Sequence, residues 1–324
     1  MLLIFSDSLP SRQANAAFSP CDLTSSLNNS GLRARRRPGI DEKGFGSDIE
    51  SSLVRSHLTL SRSIVAQIIS LVPDDAGLEA TFFDTATGEV SIELKRPWLC
   101  QRNAEEFNHT EVTEQTGWRL RIRKSTTKPS NTIKSINYQL KISSAERAKQ
   151  LKSVGEEIFR SRLVQKSEVS LLTLGGFGQV GRSCMLLTTP DSKVLVDCGI
   201  NPGARTPSEA FPRLDWANIS LDELDAIVIG HAHLDHTGFL PVLTKYGYKG
   251  PIYCTEPTLP MMNLIQLDAI KVAGAQGRTP MYAERDVHQI MRQTIGLSYG
   301  TVTDISPDIK LVLANTGHVL GSAS

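Results

Sequence analysis

The sequence has no long apolar run. Nothing in its 324 residues approaches the ~18 consecutive apolar residues of a membrane-spanning helix, so no membrane partner is expected. The opening Met1-Leu2-Leu3-Ile4-Phe5 is too short for a secretory signal core and lacks the basic flank before it. The chain also has no Cys-x-x-Cys pair. Its five cysteines, Cys21, Cys100, Cys184, Cys198 and Cys254, are scattered and odd in number. That argues against a disulfide framework and a thiolate zinc site, and for a reducing, cytoplasmic setting. Net charge is small as well. At a formal +1 the chain as a whole exerts little pull on nucleic acid, so any such binding must come from a local patch. What it does have is a hydrophobic content of 40%, enough for packed cores, and a length that suggests about two domains.

Residues 1–55 show no sustained period. They are rich in Ser, Asn, Gly and Arg and contain the run Arg33-Ala34-Arg35-Arg36-Arg37-Pro38. A disordered tail fits this composition first. An RNA-contacting arm, a targeting peptide and a misplaced reading-frame start are the other readings.

Residues 56–165 are periodic. Ile64, Ile68, Leu71 and Val72 mark a helical face that ends before Pro73. Strands are expected over 78–83 and 89–94, joined by the turn Asp84-Thr85-Ala86-Thr87-Gly88. A loop at Pro97 and a polar helix over about 104–115 follow, stopped by Gly117. Residues 118–124 alternate strictly, with Trp118, Leu120 and Ile122 on one face and Arg119, Arg121 and Arg123 on the other. Such a basic face is either merely solvated or a strip that tracks phosphates. Ser143-Ser144-Ala145-Glu146 predicts a capping box opening a helix that buries Leu151, Val154 and Ile158. The order helix-strand-strand-helix-strand is that of a KH-type RNA-binding domain. Its usual Gly-x-x-Gly clamp is absent from Lys95-Arg96-Pro97-Trp98-Leu99-Cys100-Gln101-Arg102. RNA contact would then rest on Lys95, Arg96, Arg102 and stacking by Trp98; a KH-shaped structural platform is the other reading.

From 166 to 324 short apolar runs bounded by Gly, Pro and Asp predict buried strands. They cover 169–174, 184–187, 193–199, 225–229 and 251–255, with a strand pair over 299–304 and 309–313. Helices are expected over 239–245, 257–273 and 283–294, the second burying Met261, Leu264, Ile265 and Ile270. His288, alone on the third, reads as surface or satisfied core rather than as a ligand.

The chemistry concentrates in Gly230-His231-Ala232-His233-Leu234-Asp235-His236-Thr237-Gly238, which holds three of the seven histidines. It follows an apolar strand, so His231 and His233 leave the strand end pointing the same way. Asp235 and His236 come after the turn and can face a second point. Imidazoles with a neighbouring carboxylate form a hydrolytic zinc set rather than a structural one. Two adjacent metal ions are expected, His231 and His233 on one, Asp235 and His236 on the other. His318, between glycines at a strand end, has the form of a third ligand for the first ion. Asp197, ending an apolar strand, is costly to bury unpaired. It reads as an acid that hydrogen-bonds a ligand histidine or loop backbone.

Together these pieces resemble the metallo-β-lactamase superfamily. More narrowly they resemble the β-CASP ribonucleases, and within them the archaeal homologues of the cleavage and polyadenylation specificity factor nuclease, which carry KH domains ahead of the nuclease. Leu174-Gly175-Gly176, Val180-Gly181-Arg182-Ser183, Tyr253-Cys254-Thr255-Glu256-Pro257-Thr258 and Tyr299-Gly300 match that group, as do Glu93-Leu94-Lys95-Arg96-Pro97 and Thr116-Gly117-Trp118. The resemblance covers about 61–324 and implies an α+β chain. A KH-like αββαβ domain (56–165) would precede part of a metallo-β-lactamase αββα sandwich (166–324), with the β-CASP domain absent.

The implied activity is zinc-dependent hydrolysis of RNA phosphodiesters in RNA 3′-end processing or transcription termination. By the resemblance His231, His233 and His318 hold one Zn2+, Asp235 and His236 part of a second, and Asp197 supports them. Asp235, His236 and Asp197 are thus the catalytic candidates, RNA is the partner, and the full-length family is homodimeric. The departures are Gly230 in place of threonine, Gln179 in place of glutamate, and the missing clamp. A metal-bridging aspartate is expected beyond Ser324, so one zinc or fewer and weak activity are expected of this chain. The alternatives are a catalytically dead RNA-binding or dimerising fragment, or another hydrolase of this fold.

Overall fold

In a computed structural model, residues 65–67, 69–70, 72–102, 113–114, 116–161 and 168–324 are described, without the side chains of 101 and 102. The chain divides into two compact units between Pro129 and Ser130. The expected division near 165 differs because two helices that follow Pro129 belong by their contacts to the second unit.

In the first unit, 65–67 and 69–70 are helical and Val72 is buried. Ile64, Ile68 and Leu71 of the expected face lie outside the described residues. Strands β1 (Leu78–Asp84) and β2 (Glu89–Leu94) form an antiparallel hairpin. Its turn is held by Asp84, whose Oδ1 accepts from Ala86 N at 3.1 Å. Gly88 takes φ +66° there, a conformation that costs glycine little. A short helix α1 (Trp98–Arg102) replaces the expected loop after Pro97. Most of the expected helix over 104–115 lies outside the described residues. Strand β3 (Arg119–Lys124) then joins β2 in parallel, giving the order β1-β2-β3. Val90, Ile92, Leu94, Cys100 and Leu120 make the core, with Trp118 edge-on to Phe83.

The second unit opens with α2 (Asn131–Ile142) and α3 (Ser144–Ile158). Helix α2 buries only Ile136, so the sequence carries no stripe to announce it. The expected capping box does not form: Ser143 Oγ donates to Gln139 O at 2.6 Å, finishing α2 instead of opening α3. Of the expected α3 face Ile158 is buried, while Leu151 and Val154 are half-buried. Beyond α3, Arg160 pairs with Asp225 at 2.7 Å.

Then come β4 (Ser170–Gly175), β5 (Cys184–Thr188), β6 (Lys193–Val196), α4 (Pro207–Ala210), β7 (Ala226–Val228), α5 (Leu234–Thr237), α6 (Leu240–Lys245), β8 (Ile252–Thr255), α7 (Thr258–Ala275), α8 (Glu284–Gln293), β9 (Thr294–Leu297), β10 (Thr303–Ser306) and β11 (Ile309–Leu311). Six strands form one sheet in the order β4-β5-β6-β7-β8-β9. The first three pair antiparallel and the last four parallel. Strands β10 and β11 form a separate antiparallel pair.

Successive residues of a strand face opposite sides, and both sides of this sheet are covered along its central strands. Leu186, Leu195 and Ile227 pack with Leu240, Leu243, Met262 and Ile290 of the helices. Leu187, Val194 and Val228 pack with Ile305, Ile309 and Leu311 of the second sheet. Burial on both faces is why these strands read as continuous apolar runs. The result is an α+β sandwich.

Three expectations are corrected. Leu264 is 53% exposed, because α7 turns Met262, Asn263 and Gln266 inward instead. The helix expected to reach Thr294 ends at Gln293, and Thr294 opens strand β9. The strand expected from 299 begins only at Thr303, after a turn at Gly300.

Candidate metal centre

Parallel strands bring their carboxyl ends to one side of the sheet, where ligand sites of such sheets form. Asp197 follows β6, the His231–His236 segment follows β7, and Thr255 ends β8. Residues 197–200 hold the histidine segment almost entirely through backbone. Cys198 N donates to His236 O at 2.8 Å and Ile200 N to Leu234 O at 2.9 Å. Ser183 N donates to Asp235 O at 2.7 Å, and Gly199 N to Ser183 O at 3.0 Å. A side chain at Gly199 would overlap the Asp235 carbonyl. Thr237, fully buried, donates its hydroxyl to Ala232 O at 3.1 Å and His233 O at 3.0 Å.

Asp197 is 7% exposed and sits at φ +58°, a left-handed conformation that aspartate tolerates better than most residues. Both of its oxygens are used. Oδ1 accepts from Gly230 N at 2.9 Å. Oδ2 lies 2.6 Å from His236 Nδ1 and 3.3 Å from Ser183 Oγ, which donates to it. The expected acid that supports both a histidine and the loop is therefore placed to do so. Gly230 leaves room there: a Cβ would come within 3.2 Å of Ala323 O.

His318 arrives from the other direction, in the loop after β11. That loop is fixed by hydroxyls. Thr255 and Thr258 Oγ1 both donate to Gly321 O, at 2.5 and 3.0 Å. Tyr299 OH donates to Ser322 O at 3.0 Å. Sequence reasoning did not single out these residues as functional. Only the recurrence of Thr255, Thr258 and Tyr299 in the quoted family motifs pointed at them.

The structure brings all five expected ligands together. His231, His233 and His318 offer nitrogens within 4.8 Å of one another, and so do His231, Asp235 and His236 offer ligand atoms. His231 Nε2 is 3.0 Å from His233 Nδ1. His236 Nε2 is 3.6 Å from Asp235 Oδ2. Burial, then neighbouring His236, His233 and His318, push His231 down to about 4 against the opposing pull of Asp197, so it is a neutral imidazole at neutral pH. Burial also works against charge on His236, but the hydrogen bond and charge of Asp197 and the charge of Asp235 outweigh it and raise this residue. A cluster of imidazoles with an adjacent carboxylate fits a divalent transition metal. His231 belongs to both groups, so among the described residues the two sets are not independent.

The residues of the first unit expected to touch RNA fare differently. Register sets Glu89 opposite Arg119 and Glu93 opposite Arg123. Arg121 Nε is 2.9 Å from Glu89. Arg121 on the basic face of β3 is thus paired with an acid of β2, and Arg119 and Arg123 stand in register with Glu89 and Glu93 of that strand. Lys95 pairs with Glu79 at 3.3 Å, largely exposed. Arg96 is exposed and Trp98 is 46% exposed. The Arg102 side chain lies outside the described residues.

The class follows from this geometry and from the sequence together. Residues 177–312 match the metallo-β-lactamase superfamily, and the chain is similar to archaeal factors named for transcription termination. It is 74% identical over 253 residues to the transcription termination factor FttA of Cenarchaeum symbiosum, covering 78% of this chain and 39% of that one. It is 40% identical over 285 residues to the factor of the same name from Methanothermobacter thermautotrophicus, covering 87% and 45% respectively. The chain thus spans less than half the length of these relatives. A subclass B3 metallo-β-lactamase from a soil metagenome aligns with a TM-score of 0.31 at 19% identity, over 47% of this chain and 55% of its own, too distant to add to the assignment.

Proposed function

We infer that this chain is the metal-holding part of a zinc-dependent ribonuclease acting in RNA 3′-end processing or transcription termination. The observation that carries the reading is the convergence of His231, His233 and His318, with Asp235 and His236 beside them, at the carboxyl edge of the sheet. The likeness to factors named for transcription termination supplies the setting. His231, His233 and His318 would hold the zinc, which when bound supplies a Lewis acid and a water of lowered pKa. The protein's own groups do the rest. Asp197 holds His236 by Nδ1 and so leaves Nε2 facing Asp235. Asp235, 33% exposed at its side chain, is the carboxylate able to take up a proton at Oδ2. Burial of the surrounding backbone keeps the segment rigid.

Because the two groups share His231, the favoured state is about one tightly held zinc per chain. That also keeps a second reading in play, an RNA-binding fragment with little cleavage of its own. The first unit, read as a KH-like platform, would contact RNA through the exposed Lys95, Arg96 and Trp98. Metal analysis of the purified chain, paired with cleavage of a labelled single-stranded RNA, tests both readings. About one zinc and slow cleavage that disappears in H233A support the ribonuclease. One zinc with no cleavage supports the binding fragment. A chain that retains no zinc after dialysis would sink the metal reading.

A further inference from the structure

We propose that Ser322 is the positioning residue that sets His318 in the imidazole group. The proposal rests on the metal-site reading above and deepens it. His318 lies in an exposed stretch, 314–318, and exposed loops are mobile unless something ties them down. Ser322, by contrast, is 1% exposed. Its Oγ accepts from three donors: His318 N at 3.1 Å, Val319 N at 3.1 Å and Thr316 Oγ1 at 2.8 Å. One oxygen therefore gathers the residue before the histidine's flanking glycine, the histidine itself and the residue after it. Ser322 N closes the turn onto Val319 O at 2.9 Å.

The oxygen is itself anchored from outside the loop. Tyr299 holds the Ser322 carbonyl, and Thr255 and Thr258 hold the carbonyl of Gly321 beside it. Gly321 is at φ +82°, and a Cβ there would press on Thr258 N at 2.9 Å. So the chain from the end of β8 and the start of α7 fixes Ser322, and Ser322 fixes the backbone of His318. The ring then stands 4.9 Å from His231 and 5.3 Å from His233, centre to centre. A residue with no acceptor at 322 would take from the His318 and Val319 amides the oxygen that holds them, and the histidine arm would have to reorganise to find an ion.

The test is metal affinity, read without any activity. Zinc binding to the full chain is measured by competition with a chromophoric chelator, and cobalt binding by its visible absorption. S322A is expected to weaken binding by about 10- to 100-fold, the usual cost of losing a group that orients a ligand, and to shift the cobalt spectrum. T316V is expected to weaken it less, and T316S to restore it. The distinguishing readout is a double-mutant comparison. In the H318A background S322A should cost nothing further, because its effect runs through His318. An equal loss in both backgrounds, or an S322A chain that binds as tightly as the unmodified one, overturns the proposal. If S322A does not fold, the T316V and T316S pair in the two backgrounds decides it by the same criterion. If H318A itself leaves affinity unchanged, the metal-site reading fails and this proposal with it. If H318A weakens binding while S322A and T316V do not, only the positioning role fails.

Discussion

The centre has two arms, and they are held by different means. The arm that carries His231, His233, Asp235 and His236 is fixed by backbone hydrogen bonds to residues 183 and 198–200. The arm that carries His318 is fixed by the hydroxyls of Thr255, Thr258, Tyr299, Thr316 and Ser322. Backbone bonding is indifferent to most side chains and fails where there is no room, as at Gly199. Hydroxyl bonding is spread over several side chains, each removable by one substitution at modest cost. The first arm should therefore break sharply at few positions and the second should loosen gradually at many.

The largest effect should come from G199A. Its new methyl would overlap the Asp235 carbonyl, and backbone cannot step aside as a flexible side chain can. A loss of about 3 kcal/mol or more is expected in denaturant unfolding of the second unit. Unchanged stability would mean that the two segments are not locked as described. Next comes D197A, which strips the acceptor from Gly230 N and His236 Nδ1. It should cost about 1–3 kcal/mol for the groups left unpaired and weaken zinc binding by about 10- to 100-fold. D197N, keeping an acceptor for Gly230, should be milder in stability yet still impair metal binding; thermal unfolding and chelator competition separate the two. The smallest effect should be T255V, since Thr258 still donates to Gly321 O. About 1 kcal/mol is expected, and the double variant with T258V should exceed the sum of the singles. Strict additivity would show that the two hydroxyls do not back each other up.

This contrast also explains what the sequence disclosed. Strands β5 to β8 were legible because burial on both faces leaves runs such as Leu195-Val196 and Ile227-Val228 nearly free of polar residues. The ligands were legible because His231, His233, Asp235 and His236 sit within one short segment whose spacing carries the chemistry. Helix α2 was not, since Ile136 alone is buried on it. The capping box misled because Ser143 had a nearer acceptor at the end of α2. Helix α7 misled because its inward face includes Asn263 and Gln266, which no apolar stripe would show. The hydroxyl anchor of His318 was invisible for a different reason. Threonines and serines are common, and only the folded chain brings Thr255, Thr258 and Ser322 to one place. Charge neutralisation on the first unit was hidden likewise, because Glu89 meets Arg121 only through the parallel pairing of β2 with β3.

That parallel pairing has a counterpart in the second unit, and there it governs timing. Strands β6, β7, β8 and β9 cannot be joined by hairpins, so each must wait for a long intervening segment before it pairs. Contacts between distant parts of a chain form late and slowly. The His231–His236 segment and Thr255 enter with β7 and β8 through such pairings, while Asp197 ends β6 and His318 follows the separate β10–β11 pair. A half-folded chain does not hold all of them together. The imidazole cluster thus reports long-range assembly: His231, His233 and His318 come together only when the segment after β7 and the loop after β11 have both docked at the end of β8.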